Sequence, residues 1–161
     1  MLKKMFFAAW ILAVLSVTSQ ASTWVIDKAH SSVGFKVKHL AIVTVHGVFD
    51  DYDATIEYNP DAPKESSVTA KIKAASINTN NDDRDDHLRS ADFFDVANYP
   101  EITFVSKRFD TTKGGRNKLV GDLTIKGVTK EVELVVEGLR KPIEFMGIRT
   151  AARAVGKICL L

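Results

Sequence analysis

Five separate segments of this chain alternate apolar and polar side chains with a period of two, the signature of strands that cover one face and wet the other. In Ser32 to Lys38 the apolar set is Val33, Phe35 and Val37, with Lys36 and Lys38 opposite. Tyr52, Ala54, Ile56 and Tyr58 share one face, as do Val68, Ala70, Ile72 and Ala74, which Thr69, Lys71 and Lys73 oppose. Leu119, Gly121, Leu123 and Ile125 alternate with Asp122, Thr124 and Lys126, and Val132, Leu134 and Val136 with Glu131, Glu133 and Glu137. Lys126-Gly127 suits a tight hairpin between the last two strands, and Lys113-Gly114-Gly115 offers another before Arg116. Turns this short make the neighbours antiparallel. Seven or eight one-faced strands imply an all-β fold, either a sheet closed on itself or a two-layer sandwich, and periodicity does not choose between them. Small residues on the apolar face (Ala54, Ala70, Ala74, Gly121) either leave room for one small ligand or fit the taper of a filled barrel.

One run, Ile77 to Phe104, leaves strand period for helix period and then returns. A polar turn, Asn78 to Asn81, leads into Asp82 and Asp83, carboxylates that cap a helix and suit its positive N-terminal dipole. The helix is expected to run to about Ala91. His87, Leu88 and Ala91 fall on one side with Phe93 and Phe94 just beyond, while Arg84, Asp85 and Asp86 stay wet. Asn98-Tyr99-Pro100 ends the segment and starts a new strand.

The N-terminus reads as a secretory signal peptide: Lys3 and Lys4, an apolar stretch from Met5 to Val17, then the small-x-small Ser19-Gln20-Ala21. Cleavage is expected after Ala21. No Cys follows the cleavage site to carry a lipid anchor, and the apolar stretch is short for a membrane span. Removal of residues 1–21 takes two of the 22 Lys and Arg and none of the 20 Asp and Glu, so the mature 140 residues are formally neutral. Such a balance offers no basic field for nucleic acid and no polybasic patch for anionic lipid. A mature chain of this length forms one domain with a real core. Its single Cys159 has no partner for a disulfide and reads as an incidental or buried thiol.

Catalytic and metal signatures are weak. His30, His39, His46 and His87 lack HxH or HExxH spacing, although His39 and His46 flank Leu40 to Val45 and could approach across a loop. The acidic run Asn81 to Asp86 lacks the central Gly and distal Glu of a calcium loop. No phosphate-binding glycine loop, nucleophile elbow or Ser/His/Asp order is present. The chain is therefore read as a non-enzyme without required metal or cofactor.

His30-Ser31-Ser32-Val33-Gly34-Phe35 with His39-Leu40, then His46-Gly47-Val48-Phe49, then Arg84 to Asp92, Tyr99-Pro100, and Gly121-Asp122-Leu123-Thr124 to Gly127-Val128-Thr129 together resemble the YceI-like family. Each motif is short; five in order across nearly the whole mature chain carry the resemblance. It implies a lipocalin-like antiparallel up-and-down β-barrel with one short helical insert, exported to the periplasm. Its elongated apolar interior would hold an isoprenoid lipid, such as an isoprenoid quinone or a polyprenyl phosphate, as carrier or store. The alternatives are a stress-related structural module without bound ligand and an enzyme acting on a bound lipid.

The alternation nominates an apolar lining of Val33, Phe35, Val37, Tyr52, Ala54, Ile56, Val68, Ala70, Ile72, Phe104, Leu123, Ile125, Val132 and Leu134. His87, Leu88, Arg89, Phe93 and Phe94 of the helical insert are nominated for the mouth or lid. For His87 and Arg89 two roles are open: head-group contact, or a structural network with Asp92 or Asp95. Near the C-terminus, Gly147 to Ile158 follows the family's G-x-x-R-x-G-F-x-A-x-G-x-I pattern imperfectly: one residue is missing between Gly147 and Arg149, and Ala151 and Ala152 stand where Gly and an aromatic are usual. Relative to that pattern the domain, residues 22–161, is expected to lack its last strand. The expected consequence is an incompletely closed barrel with an open sheet edge, suited to homodimer pairing.

Overall fold

The computed structural model describes residues 22–39, 43–59, 61–112, 117–137 and 153–156, with the side chains of 22, 25, 38, 39, 43 and 153–156 left out. The expected signal segment, the expected turn at Lys113-Gly114-Gly115, Cys159 and most of the Gly147 to Ile158 motif lie outside them. Among the described residues ten strands form two antiparallel sheets. Strands β1 (Ser22–Val25), β4 (Tyr52–Tyr58), β5 (Ser67–Lys73), β7 (Glu101–Asp110), β8 (Asn117–Ile125), β9 (Val128–Glu137) and β10 (Arg153–Gly156) lie in the order β1-β4-β5-β7-β8-β9-β10. The second sheet is β2 (Val33–His39), β3 (Val43–Phe49) and β6 (Ile77–Asn78). Among the described residues the two sheets are not joined into a closed ring. The alternation from Val68 to Ala74 is ended by a 3-10 turn, Ala74–Ser76, so that Ile77 leaves the large sheet and pairs with Phe49 of the small one.

The β8–β9 hairpin turns on Lys126 and Gly127 with φ of 48° and 72°, the left-handed pair a two-residue hairpin needs. On β7 the register shifts between Ser106 and Arg108, a bulge that puts Lys107 on the outer face, where its ammonium meets Asp122 at 2.6 Å and Glu131 at 3.3 Å. Phe109 then returns inward opposite Leu119. Gly121 is required by close approach: a Cβ there would strike the Val105 carbonyl oxygen and the Phe104 ring.

Two buried clusters result. Phe49, Ala74, Ile77 and Ile102 gather Val33, Phe35, Ile72, Leu88, Phe94, Val96, Leu123 and Ile125, tying the small sheet and the helix to one end of the large sheet. Phe104, Phe109, Leu119 and Val136 gather Val68, Ala70, Leu123, Val132 and Leu134 toward the other end.

The helical insert departs from expectation in three ways. Helix α1 spans Asp82–Arg89 rather than reaching Ala91, because the Ser90 N–H and hydroxyl both donate back to the His87 carbonyl. Its N-cap is Asn81, whose side chain accepts from the Arg84 N–H at 2.8 Å, with Asp82, Asp83 and Asp85 in the first turn. Asp85, expected to be wet, is 4% exposed. Its carboxylate accepts from the Thr79 N–H at 3.0 Å and the Thr79 hydroxyl at 2.6 Å, while the Arg84 guanidinium donates to the Thr79 hydroxyl and carbonyl. The polar turn is thus folded against the helix, which takes the carboxylate out of water.

Asp85→Ala leaves two buried donors unanswered and is expected to cost roughly 2–4 kcal/mol in chemical denaturation, with Asp85→Asn costing less because it keeps one acceptor oxygen. A second expectation concerns pH. Burial pushes the Tyr58 phenol above its ordinary value, and the ring meets Trp24 edge-on at 5.3 Å between centroids. Because the folded value exceeds the unfolded one, the contribution of Tyr58 is fully present below the unfolded value and is lost as pH rises through the folded one. Denaturation midpoints compared on either side of the phenol's ordinary value should fall less on the alkaline side in Tyr58→Phe than in the wild-type protein.

Candidate functional site

The register of five strands stacks the inward side chains of the large sheet in rows. Tyr52, Ile72 and Ile102 form one row, which Ile125 and Val128 continue across the hairpin. Ala54, Ala70, Phe104, Leu123 and Lys130 form the next. Ile56 and Val68 lie opposite one another in the third, where Ser106 faces Gly121 and Gly121 faces Val132. Phe109, Leu119 and Leu134 form the fourth. Trp24 extends the face across β1 by pairing with Ile56.

Two ends of this face are bulky and its middle is small. Ala54 and Ala70 leave a shallow centre beside Phe104, whose ring lies over Gly121. Ala54, Ile56, Val68, Ala70, Leu123, Val132 and Leu134 are only half-buried, so the face retains accessible apolar area among the described residues. The opposite face is charged and paired. Lys73 meets Glu101 at 2.8 Å, Lys118 meets Glu133 at 2.9 Å and Lys28 meets Asp53 at 3.1 Å. The Lys73 ammonium holds the Glu101 carboxyl below its ordinary range. A recess of about 100 Å³ bordered by Asp51, Tyr52, Asp53, Lys71, Lys73 and Glu101 opens among these charges, an unsuitable lining for an apolar tail.

Eleven of the fourteen nominated lining residues share the inward face of the large sheet: Tyr52, Ala54, Ile56, Val68, Ala70, Ile72, Phe104, Leu123, Ile125, Val132 and Leu134. Val33, Phe35 and Val37 belong to the small sheet. Val33 and Phe35 pack into the first cluster, the Phe35 ring tilted against Phe49 at 5.5 Å, and Val37 is 50% exposed. Trp24, Ile102, Phe109, Leu119, Lys130 and Val136 also stand on the large sheet's inward face and were not nominated. Lys130 was legible, since it alternates in step with Val128 and Val132, but its charge set it apart from an apolar list.

The helical insert divides. Leu88 and Phe94 turn inward onto the first cluster. His87 is 63% exposed, its ring edge-on to the exposed Phe93 at 4.9 Å, and its Nε2 lies 3.8 Å from Asp92, beyond hydrogen-bond reach. Arg89 donates from Nε to the Ala75 carbonyl and from Nη2 to the Ile77 carbonyl, both at 2.9 Å, and pairs with Asp86 at 2.9 Å. The network that engages Arg89 therefore runs through Asp86 and backbone carbonyls rather than Asp92 or Asp95. Among the described residues no three His, Cys, Asp or Glu side chains converge as metal ligands, and no helix is long and apolar enough to cross a membrane.

Comparison with known proteins bears on the same span. The profile of the YceI-like domain matches residues 24–158. A UPF0312 protein of Pseudomonas savastanoi pv. phaseolicola is 40% identical over 136 residues, covering 82% of this chain and 71% of that protein. A UPF0312 protein of Staphylococcus aureus is 45% identical over 111 residues, covering 69% and 62% respectively. Burkholderia cenocepacia BcnA superposes with a TM-score of 0.67 at 29% identity, over 71% of this chain and 72% of that one. The Campylobacter jejuni YceI protein gives 0.57 at 43% identity, over 71% and 67%.

Because Arg89 ties the helix to the carbonyls at the 3-10 turn, Arg89→Met is expected to lower stability by roughly 2 kcal/mol in urea denaturation, and Arg89→Lys to recover only part of it. An unchanged denaturation midpoint in Arg89→Met would contradict this structural role.

Proposed function

The chain belongs to the YceI-like family, and from that premise we propose that it is an exported, periplasmic protein that binds an isoprenoid lipid, an isoprenoid quinone or a polyprenyl phosphate, against the inward face of its large sheet, as carrier or store. One observation carries this reading: five strands in register present rows of apolar side chains on one face, small at the centre and incompletely covered. An isoprenoid tail has almost no polar atoms, so it asks for area rather than for placed hydrogen bonds. Burial contributes about 0.8 kcal/mol for each CH₂-sized group. A membrane offers nearly the same burial, so exchange between bilayer and protein stays reversible, as a carrier or store requires.

Support for a non-enzymatic role comes from the exposed side chains of the insert. His87 and Asp92 are the pair that a general acid–base scheme would use, yet both side chains face solvent and their nearest N–O approach is 3.8 Å. The apolar rows are proposed to act on the tail, and release from the signal segment after Ala21 to deliver the neutral domain to the periplasm.

The test uses the mature protein's one tryptophan, Trp24, which lies in register with Ile56 on the proposed binding face. Titration with farnesol should change its fluorescence saturably. Ala70→Phe and Ala54→Phe each place a ring in the shallow centre and should weaken binding by at least about tenfold, the factor that 1.4 kcal/mol supplies, while circular dichroism stays that of a β-protein. Undiminished binding in both variants would place the ligand elsewhere.

A further inference from the structure

We propose that Lys130 receives an anionic head group on the inward face, so that the lipid bound there is a polyprenyl phosphate rather than a neutral quinone. The inference rests on the isoprenoid-binding reading above and narrows it to one class of ligand.

Register fixes the position of Lys130. It pairs with Leu123 across β8, in the row that continues through Phe104 and Ala70 to Ala54. Side chains directly opposite in an antiparallel pair share a face, and Thr124 and Thr129, whose hydroxyls lie 2.8 Å apart, occupy the other one. Lys130 is exposed and stands between Val128 and Val132 along the strand. Among the described side chains of β1, β4, β5, β7, β8 and β9 it is the one charge on the inward face.

Nearby carboxylates on its strand are engaged on the far side of the sheet. Glu131 meets Lys107 at 3.3 Å and Arg108 at 3.8 Å, and Glu133 meets Lys118 at 2.9 Å. Asp122 of β8 is held by Lys107 at 2.6 Å. No ion pair of Lys130 is present among the described residues. A cation on an apolar face, at the end of the row whose far members are Ala54 and Ala70, matches an amphiphile: the tail lies along the small side chains and the phosphate meets the ammonium. A lysine serves as a point charge for phosphate. A quinone ring offers only neutral acceptors and gains less from it.

A competing role has its own signature. β10 pairs only with Leu134 to Glu137, so the stretch Val128 to Glu133 has no strand on its outer side among the described residues, and an inward-pointing charge can guard such an edge against association.

Farnesyl phosphate and farnesol share one tail and differ in head-group charge, and Trp24 fluorescence reports both. The wild-type protein should bind farnesyl phosphate at least about tenfold more tightly than farnesol at low salt, a margin that shrinks as salt screens the pair. In Lys130→Met that ratio should fall toward unity, and Lys130→Arg should restore it. An undiminished ratio in Lys130→Met overturns the inference. So does a variant that keeps the ratio but sediments as a dimer, which assigns Lys130 to edge protection. If wild-type protein binds farnesol and farnesyl phosphate equally, the head-group inference fails and the tail-binding reading stands. Binding of neither ligand overturns both.

Discussion

Cross-strand register from β4 to β9 is the constraint from which the rest of this structure follows. It brings Ala54, Ala70, Phe104 and Leu123 into one line and keeps Asp53, Lys71 and Glu101 on the reverse side. A slip of one residue would exchange the two faces, placing lysines inside and isoleucines in water. Outer-face ion pairs are exposed and contribute little stability individually. Hydrophobic burial does most of the work, and the charges decide which face receives it.

The two ends of the face are closed by different means. At one end the 3-10 turn Ala74–Ser76 lifts Ile77 into the small sheet, and helix α1 and the turn after it lay Leu88 and Phe94 over the seam. The helix is fastened by polar contacts: Asp85 and Arg84 hold the Thr79 turn, and Arg89 grips the Ala75 and Ile77 carbonyls. Arg84, Asp85 and Arg89 of the Arg84 to Asp92 motif thus have a structural use here. At the other end Phe109, Leu119 and Val136 pack on one another. Between them lies the less filled centre.

Most of the fold was legible in period-two alternation. Antiparallel pairing through Lys126-Gly127 followed from turn chemistry, and eleven lining positions followed from counting alternate residues. What alternation missed has specific causes. Val33 and Phe35 obey the same rule but belong to another sheet, and strand period carries no information about which sheet a strand joins. The bulge at Ser106/Arg108 adds a residue, so Phe109 could not be placed inward by counting from Phe104. Asp85 looked like an exposed carboxylate because a helix pattern does not reveal that the preceding turn folds back onto it. His87 and Arg89 share the insert with Leu88 and Phe94, yet only the last two join the apolar cluster, because neighbouring helix positions point about 100° apart and Arg89 is drawn to backbone carbonyls. Lys130 followed the alternation and was passed over because the list sought apolar side chains.

The proposed function is that the inward face of the large sheet shelters an isoprenoid chain. Its most direct test is native mass spectrometry of the protein recovered from its native compartment, followed by organic extraction and identification of what is released. The expected result is an adduct carrying an isoprenoid tail, released intact on extraction. Protein that is recovered folded and free of any lipid, and that stays empty when mixed with isoprenoid-containing vesicles, would contradict it.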